Sequence, residues 1–337
     1  MTQVTSANPT SCRVSIVVPV YNEKDNAAPL LQGIVAAMHP MSCPWELIVV
    51  DDGSNDGTVE HLHQTAQQLG NFVRVIELSR NFKQTAAMQA GIDAARGEVI
   101  VTLDGDLQND PTDIPRMVNR LLNEDLDLVA GWRKDRKDGY WLRKFPSKIA
   151  NKMIARMTGV VLNDYGCSLK VFRASVIKKV RLYGEMHRFI PAWLVTVTSS
   201  GRIAEEVVKH HPRIHGESKY GISRTFRVLL DLFFVYFFMQ FRARPGHFFG
   251  GLGLILFSLG GGILAYLFGL KFLFAEDIGG RPLLTTGFFL VIAGLQMLTT
   301  GILAEVLVRV MFESGQNKSY EVRDPSNPLP QDGWHQP

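Results

Sequence analysis

Two long runs without a charged residue, Phe248–Leu270 (23 residues) and Leu283–Ala304 (22 residues), constrain this chain more than any other feature. About 20 apolar residues suffice for a helix to cross the hydrocarbon core of a bilayer. The connector over residues 271–282 is short, so the two runs are expected to form a transmembrane hairpin. Arg242, Arg244 and Arg309 flank its open ends, while the connector sets Lys271 and Arg281 against Glu276 and Asp277. This is a modest bias toward cytoplasmic termini. Ahead of the hairpin, Val228–Phe241 is aromatic and apolar but interrupted by Asp231 and Gln240, and arginines flank it. That pattern fits an amphipathic helix lying in the membrane interface. Gly250, Gly251, Gly253 and Gly260–Gly262 permit close helix contact, either within the hairpin or between copies of the chain in a homo-oligomer.

The remainder reads differently. Of the whole chain 46% is hydrophobic, and most of the surplus lies after Arg224, leaving a mixed, charged first part of globular character. A net charge of +4 gives no general attraction to nucleic acid, and no nucleic-acid partner is expected. Cys12, Cys43 and Cys167 are odd in number and match no zinc spacing, which points to free thiols in a reducing compartment. Met1–Ser11 is polar and lacks an apolar signal region, so this first part is expected to face the cytoplasm.

In this first part, short β-branched runs alternate with helical patterns. Strands are expected at Val14–Val20, Glu46–Val50, Val73–Leu78, Val99–Leu103 and Leu126–Ala130, with helices near Asp25–Met38, Gly57–Leu69, Thr85–Ala95 and Ile114–Asn123. Buried strands separated by helices are the mark of an α/β fold with a mostly parallel sheet covered on both faces. In such sheets ligands bind beyond the carboxyl ends of the strands. There the sequence places Tyr21-Asn22-Glu23, Asp51-Asp52-Gly53-Ser54, Ser79-Arg80-Asn81, Asp104-Gly105-Asp106 and Gly131-Trp132-Arg133.

Asp104-Gly105-Asp106 sets two carboxylates one residue apart after a buried strand, which suits a hard divalent cation bridging two phosphates. An acidic turn would use the same residue types. Asp51 and Asp52 suit hydrogen bonds to ribose hydroxyls or a base N–H, while Ser54, Asn55 or Asp56 caps the helix that follows. Seven cations between Arg133 and Lys148, against only Asp135 and Asp138, form either a solvated basic loop or a site for a phosphate headgroup or anionic membrane surface.

Taken in order, Val18-Pro19-Val20-Tyr21-Asn22-Glu23, Val50-Asp51-Asp52-Gly53-Ser54 and Asp104-Gly105-Asp106-Leu107-Gln108 resemble the signature of family 2 glycosyltransferases. Asp164-Tyr165-Gly166-Cys167-Ser168-Leu169, His187-Arg188-Phe189-Ile190-Pro191 and the stretch from His211 to Tyr220 narrow the resemblance to polyisoprenyl-phosphate glycosyltransferases. That group holds dolichyl-phosphate mannosyltransferases, bactoprenol glucosyltransferases and undecaprenyl-phosphate formamido-arabinose transferases. The resemblance implies a GT-A, Rossmann-like fold and inversion at the anomeric carbon. It also implies a Mg²⁺ or Mn²⁺ cofactor, a UDP- or GDP-sugar donor and a polyisoprenyl phosphate acceptor, undecaprenyl phosphate in a bacterial inner membrane. Carried over by position, Pro19, Tyr21, Glu23, Asp51 and Asp52 meet the nucleotide, and Asp104, Asp106 and Gln108 hold the metal and diphosphate. Arg133, Arg143, Ser147, Arg213, Ser218 and Lys219 meet phosphates on the acceptor side, and Asp164 orients the sugar or accepts a proton.

The expected organisation is a tail over residues 1–12, a GT-A domain over 13–225 and an interfacial helix over 226–244. A hairpin over 245–310 and a polar cytoplasmic tail over 311–337 complete it. Two other readings use the same residues: transfer to a lipid or glycan hydroxyl, which needs a true base, and a non-catalytic membrane scaffold or lipid-carrier transport subunit that kept the fold. His210, His211 and His215 do not suit a shared metal, because neighbours on a strand point to opposite faces. The chain carries no Walker A sequence and no G-x-G-x-x-G after its first strand. The sequon Asn317-Lys318-Ser319 falls in the expected cytoplasmic tail.

Overall fold

The β-branched runs of the first part form the centre of one sheet. In the computed structural model, which describes residues 12–134, 154–155, 158–212, 237, 241, 245–313 and 334, β1 (Val14–Val20) and β2 (Trp45–Asp51) are buried along their whole lengths. β3 (Val73–Glu77), β4 (Val99–Thr102), β5 (Leu128–Trp132), β6 (Lys170–Arg173) and β7 (Ile203–Val207) complete a seven-stranded sheet in the order β3-β2-β1-β4-β6-β5-β7. β6 runs antiparallel to β4 and β5, and every other pairing is parallel. The expected fold class, a mostly parallel sheet with helices, is the one found. β6 and β7 were not expected: Lys170 and Arg173 bound the one, and Glu205 and Glu206 fill the other, so neither carries an apolar run.

Helix periodicity explains the layers on the sheet. α1 (Lys24–Met38) buries Ala27, Leu30, Leu31, Ile34 and Met38, one stripe at spacings of three and four. α2 spans Thr58–Leu69 and α3 spans Gln84–Ala94; the latter is buried continuously from Thr85 to Ile92. α4 (Ile114–Asn123) buries Ile114, Met117, Val118 and Leu121. A 3₁₀ turn leads into α4, where the Asp110 side chain accepts from Thr112 N at 3.0 Å. Shorter helices follow at Ala174–Ile177 (α5) and Ile190–Leu194 (α6). The chain passes from β1 to β2 to β3 and then returns through α3 to β4 on the other side of β1. The switch in strand order therefore lies between β1 and β4, and the crevice opens beyond their carboxyl ends.

Residues 1–232 with 318–337 form one compact unit, and Phe233–Asn317 form a second. The second contains α7 (Pro245–Phe274) and α8 (Pro282–Glu313), joined by a short connector in which Arg281 pairs with Glu276. At 1.5 Å per residue each helix exceeds the ~30 Å hydrocarbon core, and both are apolar enough to cross a membrane. Their outer faces leave Leu254, Ile255, Leu259, Phe289, Ile292 and Ile302 more than half exposed. Lipid is the environment that covers such a surface, so this unit is membrane-associated. The glycines divide by role. A Cβ on Gly253 would lie 2.8 Å from the Gly294 carbonyl, and one on Gly260 2.8 Å from that of Gly287, whereas Gly250, Gly251, Gly261 and Gly262 face open space. Gly253 and Gly260 thus let the two helices cross closely. Phe237 meets Phe248 edge-on and Phe241 packs on it at a tilt, with ring centroids 5.5 and 5.0 Å apart, at the start of α7; the rest of the expected interfacial helix lies outside the described residues.

Candidate active site

The loops after β1 and β2 are tied together before any ligand is considered. Asp52 N donates to Val20 O, Asn22 N to Ser54 Oγ and Glu23 N to Thr58 Oγ1, all between 2.8 and 2.9 Å. Asp51 Oδ2 accepts from Ser54 N at 2.9 Å, closing the turn through Gly53. Gly53 has φ +72°, and a Cβ there would sit 2.5 Å from the Arg80 backbone, so the loop after β3 presses directly on this turn. Asp51 Oδ1 is buried without a protein partner among the described residues. Burial raises the pKa of both Asp51 and Asp52. Asp52 Oδ1 accepts from Phe82 N at 2.7 Å, which fixes the β3–α3 loop. Pro19 pairs with Val50 inside the sheet, and Tyr21 and Glu23 follow at the half-buried mouth.

Beyond β4, Gly105 admits no side chain: a Cβ would meet Val20 Cγ1 at 2.6 Å. This close approach sets Asp104 and Asp106 against the end of β1. Asp104 Oδ1 accepts from Gln84 Nε2 at 2.6 Å, at the start of α3. Burial, reinforced by the Asp106 charge, pushes the Asp104 carboxyl up to about 6. Asp106 Oδ1 accepts from Gln108 N at 3.2 Å, and Gln108 O accepts from His211 N at 2.8 Å. Two close carboxylates that repel each other are a donor set for a hard divalent cation. No third His, Cys, Asp or Glu joins them among the described residues.

Two elements that the sequence offered separately come together on the far side. Arg133 follows β5, and its Nε and Nη2 donate to Asp164 Oδ2 and Oδ1 at 2.7 and 2.9 Å. Burial opposes the guanidinium charge, but the hydrogen bonds and charge of Asp164 outweigh it and hold Arg133 protonated. Glu205 of β7 accepts from the Asn163 and Asp164 backbone N–H groups at 2.9 and 2.8 Å, which fixes the turn. Arg143, Ser147, Arg213, Ser218 and Lys219 lie outside the described residues.

Four side chains near the crevice, Gln84, Thr85, Lys170 and His187, carry no role that the sequence suggests. Lys170 on β6 is 2% exposed, with Nζ bonded to Cys167 O, and burial lowers its pKa. Burial, then the charges of Arg188 and Lys170, hold His187 at about 3, so it is neutral; its Nδ1 lies 2.6 Å from Thr85 Oγ1. Gln84 and Thr85 at the start of α3 thus link the Asp104 loop to the His187 segment. A lysine inside a four-residue strand reads as surface, and contacts such as Thr85–His187 join residues about 100 positions apart. Cys12, Cys43 and Cys167 are free and buried.

The chain is similar to several known proteins. The family model described as glycosyl transferase family 2 matches residues 15–181. A dodecaprenyl-phosphate galacturonate synthase of Rhizobium johnstonii is 56% identical over 313 residues, covering 93% of each chain. An undecaprenyl-phosphate 4-deoxy-4-formamido-L-arabinose transferase of Pseudomonas aeruginosa is 36% identical over 88% of this chain and 85% of its own. Among solved structures, the mannosyl-3-phosphoglycerate synthase of Rubrobacter xylanophilus shares the fold at a TM-score of 0.52 and 14% identity, over 66% of this chain and 72% of its own. The Mycobacterium tuberculosis glucosyl-3-phosphoglycerate synthase, solved with Mn²⁺, UDP and glucosyl-3-phosphoglycerate, reaches 0.51 at 18% identity, over 66% and 80%.

Proposed function

The chain belongs to glycosyl transferase family 2, among the polyprenyl-phosphate glycosyltransferases, and from that premise we propose that it moves one sugar from a nucleotide-sugar onto a polyisoprenyl phosphate. The transfer is metal-dependent, inverts the anomeric centre and takes place at the cytoplasmic face of the inner membrane. The sugar is a uronic acid, galacturonic acid, carried on UDP. Identity to the Rhizobium galacturonate synthase along nearly the whole of both chains supports that choice.

The observation that carries the choice of acceptor is the Arg133–Asp164 pair. A hydroxyl acceptor needs a base, and Asp164 was the candidate, yet both its oxygens accept from Arg133. A phosphate monoester needs no base, because its second pKa is ~6. In the reaction a phosphate oxygen of the acceptor forms the bond to the anomeric carbon as the bond to the nucleoside diphosphate breaks and its electron pair leaves with the diphosphate. Asp104, Asp106 and Gln108 would hold the divalent cation, which when bound neutralises the charge gathering on the diphosphate. Pro19, Tyr21, Glu23, Asp51 and Asp52 hold the nucleotide, with Asp51 Oδ1 as the acceptor for a donor N–H. Arg133 meets the acceptor phosphate, joined by Arg143, Ser147, Arg213, Ser218 and Lys219. Catalysis then rests on orientation and fixed charge.

The test is a donor panel. Purified protein in detergent is given undecaprenyl phosphate, Mn²⁺ or Mg²⁺, and radiolabelled UDP-galacturonate, UDP-galactose, UDP-4-formamido-arabinose or GDP-mannose. Label should enter the organic phase from UDP-galacturonate. Preferential use of another donor would overturn the sugar while leaving the acceptor standing.

A further inference from the structure

Between the two acids of the nucleotide side and those of the metal side runs a short, tightly held segment. Phe82 N is fixed to Asp52, and Gln84 Nε2 is fixed to Asp104. The residue between them, Lys83, has φ +79° and ψ 159°. That region is occupied almost only by glycine, since any Cβ is strained there. Holding a lysine in it needs a reason beyond the fold, because glycine would satisfy the backbone without strain.

Lys83 also lines a cavity of about 250 Å³ with Phe82, Thr85, Tyr183, Gly184 and Glu185. Drug-sized ligands occupy roughly 300–1,000 Å³, so this space is closer to one sugar ring. Its chemistry is mixed: an aromatic face, a hydroxyl that also touches His187, and one cation and one anion. The anion is answered within the protein, since Glu185 pairs with Arg188 at 3.0 Å. Lys83 makes no close ion pair among the described residues, and its charge acts on Asp52, where it favours the ionised carboxylate. Burial keeps the neighbouring His187 neutral, so among the residues lining the cavity the positive charge is that of Lys83.

We propose that this cavity receives the donor sugar and that Lys83 reads the carboxylate of a uronic acid, its strained backbone retained for that contact. The inference rests on the uronic-acid donor proposed above and names the residue that selects it. A neutral hexose has no group to pair with the ammonium, so Lys83 separates the two donor classes by a charge-assisted contact.

The experiment compares kcat/KM for UDP-galacturonate and UDP-galactose in the detergent-solubilised full chain, with UDP affinity and Tm measured alongside. In Lys83→Met, which keeps the stem and removes the charge, the preference for galacturonate should fall roughly 10- to 100-fold. Lys83→Arg should restore most of it. Lys83→Gly should lose the preference and gain roughly 3 °C or more in Tm by relieving the strain. UDP should bind all variants like the wild type. An unchanged preference in Lys83→Met overturns the proposal. So does a loss of UDP affinity matching the loss for UDP-galacturonate, which would assign the lysine to the diphosphate. A wild-type enzyme that prefers UDP-galactose overturns both this inference and the uronic-acid reading. Preference for galacturonate with an indifferent Lys83→Met overturns this inference alone.

Discussion

Arg133 and Asp164, 31 residues apart, meet as a two-pronged fork on a carboxylate, with contacts of 2.7 and 2.9 Å and both side chains near 12% exposed. Removing one partner of such a pair strands the other charge. Asp164→Asn should therefore cost about 3 kcal/mol of stability, read as a lower Tm, and should slow turnover by loosening Arg133. The pH profile of kcat should keep the wild-type acid limb. If that limb disappears with Asp164, the carboxylate is acting as a base and the phosphate-acceptor reading is wrong.

Asp104 and Asp106 predict opposite effects on stability and activity. In the absence of divalent cation the two charges repel, and burial disfavours Asp104 further. Asp104→Asn should raise the Tm of the cation-free protein while lowering kcat/KM by roughly 10³-fold or more. Mn²⁺-dependent UDP binding, followed by calorimetry, should vanish in the same variant. Undiminished Mn²⁺-dependent binding would move the cation elsewhere.

Acid stability should depend on His187. Its folded pKa of about 3 lies below the unfolded value of about 6.5. Between these values the unfolded chain binds the extra proton, so the contribution of His187 is complete above pH 6.5 and is lost as pH falls toward 3, at up to about 1.4 kcal/mol per pH unit. Asp104 works in the opposite sense from its ordinary value up to about 6. The difference between wild type and His187→Gln isolates the histidine: melts from pH 7.5 to 4.5 should show a shallower decline in the variant. Parallel declines would mean His187 is not held neutral by burial.

Within the hairpin, Gly253→Val should open the crossing of α7 and α8 because its side chain would meet the Gly294 carbonyl. Gly261→Val, facing open space, serves as the control. Tm and protease resistance in detergent should drop for the first and hold for the second. Equal behaviour would contradict the close crossing.

Much of this arrangement can be read from the chain, and the reason is physical. Strands buried on both faces are apolar nearly throughout, so β1, β2 and β4 announce themselves, β3 shows through Val73, Val75 and Ile76, and the acids after β2 and β4 then stand out as residues at strand ends. β6 and β7 lack that signal: Lys170, Arg173, Glu205 and Glu206 are polar residues in a sheet, and Arg173, Glu205 and Glu206 are balanced by partners about 40 to 90 positions away. The Arg133–Asp164 fork, the Gln84–Asp104 bond and the Thr85–His187 contact are likewise products of tertiary folding. No spacing rule reveals them. The φ of Lys83 is similar, since a lysine in sequence gives no hint of a backbone that favours glycine.

The most direct measurement of the central claim supplies both acceptor types at once. Full-length protein in detergent with Mn²⁺ and labelled UDP-galacturonate would receive undecaprenyl phosphate together with undecaprenol, the same lipid ending in a hydroxyl. The account predicts label on the phosphate lipid alone, released by mild acid, abolished by EDTA and restored by added Mn²⁺. Label on undecaprenol, with the phosphate lipid unmodified, would contradict it.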